Sequence, residues 1–292
     1  MFDISLSPSN NEFFIKPGQK YILAFNITNN SKTSTTLNSS VESWLPKGID
    51  GQVSYDKVFS DPTITFSLNN ADLALGESFI VNPGETRQLV LKIATLPETN
   101  RKDHYYTFFL TQKSDSQLGA KIGAHMIVTT QNKQESSLSI RQFSASPFLK
   151  DSLAHPIDFS STIINNSSQF TKIPGKLVIT KNDLPVKEFI ISPDTILGGY
   201  SRRLRCANKN AEIIPCAINP PFWPGFYKAT LTINSEKPVI AELNYFVFPY
   251  SVFLSFFIIT SLILVLSKKI PFKIFPKGKL SNSPSPKDNS PV

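Results

Sequence analysis

The chain has 292 residues, 40% hydrophobic and 18% charged, a balance that supplies cores for about two domains and excludes both a disordered chain and a polytopic membrane protein. Its formal charge of +8 is lopsided: from Lys268 onward six lysines face Asp288 alone, a net +5, so the basicity belongs to the C-terminal tail and nucleic acid is excluded as a partner. Three histidines and two cysteines, unclustered with carboxylates, leave almost nothing from which to build a metal centre, a cofactor site or a Cys/His nucleophile pair, so the chain reads as a non-enzyme.

Residues 1–132 read as a first β-sandwich. Aromatic and β-branched residues alternate with polar ones over residues 21–27, 88–93 and 105–110, and Pro, Gly, Asn and Ser punctuate them at short intervals. Period-2 alternation puts Tyr21, Leu23, Phe25 and Ile27 on one face, the expected inner side of a sandwich. In Lys16-Pro17-Gly18-Gln19 and Asn82-Pro83-Gly84-Glu85, proline presets φ at the second turn position and glycine supplies a positive φ at the third. Trp44, and the aromatic residues Tyr55, Phe59 and Phe66 of the segment 54–70, are either core or an exposed contact surface. Asp103 and His104, with Ser114 and Asp115, contain the residue types of a catalytic triad. No nucleophile elbow or glycine-rich oxyanion hole accompanies them, so that reading is set aside.

The polar run 131–137 reads as a linker, and residues 137–246 repeat the pattern of the first half. The segment 24–31 and the segment 160–167 both end a strand in Asn-Asn-Ser, whose side chains can bond their own backbone. An Arg-bearing segment follows in each half, 83–89 and 198–204, and then a tyrosine strand, 104–111 and 225–232. Those tyrosines are placed to satisfy their hydroxyls across a loop, as corner tyrosines do in immunoglobulin-like sandwiches. Arg202, Arg203 and Arg205 form the densest cationic patch outside the tail: either a contact for an anionic polymer, lipid or acidic partner, or a solvated strand edge. Cys206 and Cys216 frame a short loop and read as a disulfide outside the cell, with free thiols as the cytosolic alternative. Trp223, amid prolines and aromatics, suits either sugar stacking, a protein contact or a plug under the sandwich.

From Tyr245 to Ser267 no charged residue interrupts an apolar run, and residues 250–266 would span about 26 Å as a helix, near the lower limit for a bilayer core. A transmembrane helix over 248–267 is expected, with Tyr245 and Tyr250 in the interfacial belt and Lys268 and Lys269 at the inner headgroups. The lysine excess in the Pro/Ser-rich tail, 268–292, predicts that this tail is cytoplasmic and disordered and that the β domains face outside. Such a topology calls for a cleaved signal, yet Met1-Phe2-Asp3 runs directly into a strand-like segment. The expectation is that the signal is missing from this sequence; a tail-anchored cytosolic protein is the alternative.

The motifs S-P-S-N-x-E-F-x-I-x-P-G-Q at 7–19, I-T-N-N-S at 27–31 and N-P-G-E-T at 82–86 resemble the first domain of the WxL-interacting surface proteins. The resemblance implies two immunoglobulin-like domains, one C-terminal membrane helix and a short basic cytoplasmic tail, on the surface of a Gram-positive bacterium. It further implies a first domain that binds peptidoglycan and a second that engages another protein. The expected function is therefore adhesion to a cell-wall polymer or docking of another surface protein, without a cofactor. The alternatives are a pilus-chaperone-like module capping a partner strand, which a basic pair in the cleft between domains would support and the sequence does not show, and an accessory subunit of an envelope enzyme.

Overall fold

The computed structural model describes residues 2–55, 60–113, 119–132, 134–151, 153, 155–219, 223–235 and 237–267. The first half contributes β1 (Ile4–Ser7), β2 (Asn10–Phe14), β3 (Lys20–Asn29), β4 (Thr35–Lys47), β5 (Gln52–Tyr55), β6 (Ile64–Leu68), β7 (Ser78–Val81), β8 (Thr86–Thr95), β9 (Asp103–Gln112) and β10 (Lys121–Thr129). The second contributes β11 (Leu138–Ser146), β12 (Lys150–Asp151), β13 (Ile157–Asn165), β14 (Thr171–Lys172), β15 (Gly175–Lys181), β16 (Leu184–Ile191), β17 (Thr195–Ile196), β18 (Ser201–Arg203), β19 (Cys206–Ala207), β20 (Ile213–Ile214), β21 (Ala217–Ile218), β22 (Gly225–Ile233) and β23 (Val239–Phe248). One helix, α1 (Tyr250–Ser267), ends the described chain.

Each half closes two sheets over a core. In the first, β1-β3-β8-β6 faces β2-β10-β9-β4-β5, and in the second β11-β13-β18 faces β12-β23-β22-β15-β16-β19-β20. The central order is the same twice over. The opening strand pairs antiparallel with one sheet (β1 on β3, β11 on β13), and its continuation crosses to the other and pairs in parallel with the last strand (β2 on β10, β12 on β23). A cis X-Pro bond lies at each crossing, Ser7-Pro8 and Ser146-Pro147. The chain is thus mainly β: two immunoglobulin-like sandwiches in tandem, then a helix long and apolar enough to cross a membrane.

The alternation read from the sequence places the core. Phe25 and Ile27 are fully buried with Leu89, Leu91, Ile93, Phe108 and Leu110, and Tyr21 and Leu23 pack against them. Phe66 belongs to the same core, its ring edge-on to Tyr106 at 4.7 Å, rather than to an exposed loop. Gly18 and Gly84 take φ of +81° and +73° in the two Pro-Gly turns, each closed by a backbone bond, Gln19 N to Lys16 O and Glu85 N to Asn82 O. The Asn-Asn-Ser repeat is also structural. Asn29 and Asn165 are completely buried, and each donates Nδ2 to two carbonyls, Thr33 and Val81 in one case and Gln169 and Ile196 in the other. Each Oδ1 accepts from the backbone N–H and hydroxyl of the serine two residues on. Four hydrogen bonds on one buried amide satisfy its full capacity and pin the same turn in both sandwiches. The corner tyrosines likewise reach across: the Asp61 N–H donates to the Tyr106 hydroxyl, and the Tyr227 hydroxyl donates to Trp223 O at 2.7 Å.

The apolar run before Ser267 divides differently from the expectation. Its first part is strand β23, in which Tyr245 is buried between the rings of Phe159 and Tyr227. Tyr245 is therefore a core residue of the second sandwich and not an interfacial one, because two tyrosine-bearing strands pair there and both rings turn inward. The helix begins only at Tyr250, which stands at its first turn; no described residue of α1 is buried in the protein. Lys268, Lys269 and the rest of the tail lie outside the described residues, as do Phe59, Ser114 and Asp115.

Candidate functional site

The two sandwiches are joined by a small core of their own. Trp44, Ile127 and Leu197 are buried together, with Val53, Tyr105, Phe170 and Tyr200 packed around them, so both halves contribute. Trp44 Nε1 donates to Tyr106 O, and the indole sits against the rings of Tyr105 and His125 at 5.2 Å from each. The sequence leaves Trp44 open as a contact residue; the structure makes it a packing residue of the junction, too enclosed to serve as a stacking platform.

Polar bonds fix the same junction. Asp103, near the start of β9 and buried, accepts from the Phe170 N–H at 2.6 Å with one oxygen and from the Thr129 hydroxyl with the other. Burial pushes its carboxyl above the ordinary value, against those two donors. Neighbouring His104 points to the opposite side of the strand, where Nε2 donates to Asn100 O and Nδ1 stands 3.6 Å from Asp61. Asp103 and His104 therefore form no catalytic pair. Farther along the junction the Arg203 N–H donates to Ile49 O, the Arg203 guanidinium meets Asp50 at 3.0 Å, and Lys172 meets Glu12 at 2.9 Å.

Between these contacts lies a cleft of about 420 Å³ lined from both sandwiches. Edge strand β2 supplies Asn10, Asn11 and Glu12; the turn before β5 supplies Gly51 and β5 itself Gln52; the second sandwich supplies Lys172, Asp194 and Arg202. Asp194 is held from outside by Arg205, whose Nε and Nη2 donate to its two oxygens at 2.6 and 2.5 Å. That bidentate bond raises the Arg205 pKa, and Arg202 stands 3.7 Å from the same carboxylate, a second cation against it on the cleft wall. Burial pushes the Arg202 guanidinium below its ordinary value. Its Nε has no hydrogen-bond partner, and neither has the buried Nδ2 of Asn11 on the opposing strand. A buried donor without an acceptor costs about 1–3 kcal/mol, and both of these atoms are shut off from solvent behind the cleft wall.

The other residues singled out from the sequence lie elsewhere. Cys206 and Cys216 are joined as a disulfide across β19 and its neighbouring hairpin. Trp223 is 80% exposed, but it does not line the cleft and lies just before β22, at the end of the sheet from which the chain leaves for α1. The arginine cluster is therefore not one patch: Arg202 faces the cleft, Arg203 bridges the sandwiches and Arg205 braces Asp194. Asn11, at a variable position of the 7–19 motif, and Lys172 carry no pattern in the sequence that marks them as cleft residues. Among the described residues no cluster of His, Cys, Asp and Glu could hold a metal ion.

The chain matches no family model and no curated protein. Solved structures similar to it include the class 5 fimbriae chaperone CfaA, 11% identical, covering 82% of this chain and 98% of that one, with a TM-score of 0.43. A chaperone–tip adhesion subunit complex of Csu pili from Acinetobacter baumannii is 11% identical over 69% of this chain and 89% of that one, with a TM-score of 0.38. The CupB2 chaperone of Pseudomonas aeruginosa is 8% identical over 83% and 100%, with a TM-score of 0.39. At these scores and identities no family is assigned and no residue role is carried over.

Proposed function

We propose that the chain is a membrane-anchored, non-enzymatic docking module: two sandwiches held outside the membrane by α1, taking an extended segment of another protein into the cleft between them. The observation that carries this reading is the cleft itself, walled by both sandwiches and lined by the ion-paired residues Glu12, Lys172, Asp194 and Arg202. A strand-like segment suits it because β2 ends its sheet and borders the cleft, leaving an edge to which a peptide can add. The architecture fits that implied by the resemblance to WxL-interacting surface proteins, and the lysine-rich tail supports a cytoplasmic C-terminus. Adhesion to peptidoglycan is the less supported form, since Trp44 is packed away and Trp223 is remote from the cleft.

Photo-crosslinking in the cells that produce the protein tests it. A photoreactive amino acid at Gln52, in the cleft, is expected to capture an extracytoplasmic protein, whereas one at Lys209, in the disulfide loop, captures none. Lys172→Ala and Arg202→Ala are expected to diminish the Gln52 adduct. Failure to form a protein adduct at Gln52, together with retention of the full chain on isolated peptidoglycan, would overturn the proposal in favour of wall adhesion.

A further inference from the structure

The end of the second sandwich nearest α1 carries an apolar rim. Only Pro249 separates β23 from the helix, and the Ser251 N–H donates to Asp151 of β12, which pairs beside Phe248, so the first helical turn is tied to the sheet. Along the outer face of that sheet the rings of Phe226 and Phe246 lie 4.9 Å apart, Phe246 and Phe248 6.1 Å, and Phe248 and Phe253 of α1 4.7 Å. This is one aromatic strip running from sandwich to helix. Phe226 is 74% exposed.

Trp223 extends the rim. Gly225 pairs antiparallel with Val247, so Trp223, two residues before Gly225, lies at the end of the sheet from which the chain leaves for α1. Its carbonyl is held by the Tyr227 hydroxyl and by Lys181 Nζ, which also bonds Pro224 O, while the indole projects outward. A backbone so pinned beneath an exposed indole is a built presentation, with a lysine beside it. On the neighbouring strand, Phe148 is 93% exposed in the crossing just before β12.

The length of α1 states how close the rim comes to the bilayer. Its 18 residues span about 27 Å, short of a hydrocarbon core of about 30 Å, so the residues that precede it are drawn into the headgroup layer rather than held away from it. Tryptophan and lysine are the side chains that this layer accommodates best.

We propose that this rim is a lipid contact: the second sandwich rests on the outer-leaflet headgroups through Trp223, Phe226 and Phe246, so the module stands on the membrane at a fixed orientation instead of swinging from a tether. The inference rests on the reading that α1 crosses the bilayer, and the test separates the two. The full chain is reconstituted into phosphatidylcholine–phosphatidylglycerol vesicles containing lipids spin-labelled at either a shallow or a deep acyl position. The chain has two tryptophans and Trp44 is buried, so the difference between the unmodified chain and Trp223→Phe isolates the Trp223 signal. The expected result is quenching of Trp223 by the shallow label more than by the deep one, with loss of quenching by aqueous acrylamide. Full acrylamide quenching without lipid quenching, in a chain that still resists alkaline carbonate extraction, overturns the rim contact and leaves the anchor intact. Protection from both quenchers puts protein against the rim and also overturns it. Extraction by carbonate removes the membrane reading and the rim contact together.

Discussion

At the scale of single residues, buried polar groups do the most specific work, and the sequence reveals them unevenly. Asn29 and Asn165 are legible because their partners lie within four residues as well as across the fold, so the Asn-Asn-Ser repeat announces itself. Arg202 is not legible: nothing local distinguishes it from Arg203 or Arg205, and its place on the cleft wall follows only from how the two sandwiches meet. The histidines give the residue scale its test. Burial lowers the pKa of His104 and of His125, the latter bonded to Thr107 and stacked edge-on to Trp44. A histidine whose pKa is lowered on folding is protonated first in the unfolded chain, so its contribution is complete above the ordinary value near 6.5 and is lost as pH falls below it. Denaturant midpoints of the first sandwich are expected to drop between pH 7.5 and pH 5, and His104→Gln with His125→Gln to flatten that slope. A midpoint that rises on acidification would contradict the assignment.

At the scale of elements, long strands carry their own pattern and short ones take theirs from a partner. The alternation of β3, β8 and β9 is long enough to read, whereas β2 and β12 are short and acquire their identity from parallel pairing with the last strand of each sandwich. The Ser-Pro shared by both crossings stands in the sequence, but only the topology gives it meaning. The strand-to-helix boundary near Phe248 is hidden because β23 and α1 are apolar in succession, and only pairing with β22 and β12 marks where sheet stops. The disulfide belongs to this scale too. It closes the loop between β19 and β21 at the end of the seven-stranded sheet, with both cysteines buried in the core of the second sandwich. Closing a loop of this length is worth about 2.5–3 kcal/mol in the chain-entropy account. Cys206→Ser with Cys216→Ser is expected to lower the unfolding free energy of the second sandwich by that amount in denaturant titrations, with no change in the first. Equal loss in both would show that the sandwiches unfold as one unit.

For the whole molecule, the decisive feature is that the sandwiches dock rather than trail from each other. Gly51 shows how tightly: a β-carbon there would lie 2.4 Å from Arg202 Nη2, and its φ is +82°, so the guanidinium of one sandwich packs flat on the backbone of the other. Gly51→Ala is expected to displace Arg202 and loosen the junction. Amide exchange should accelerate at Phe170 and Arg203, whose N–H groups bond across it, while the core amides of each sandwich stay protected. Composition and alternation foretold two sandwiches and a helix, but the cleft depends on surfaces that no short-range pattern encodes. The direction in which the docked pair faces is the claim on which its role depends, and it is tested by protease shaving of intact cells that produce the full chain. The account predicts that protease added outside digests both sandwiches and leaves the lysine-rich tail intact; digestion of the tail with the sandwiches protected would contradict it.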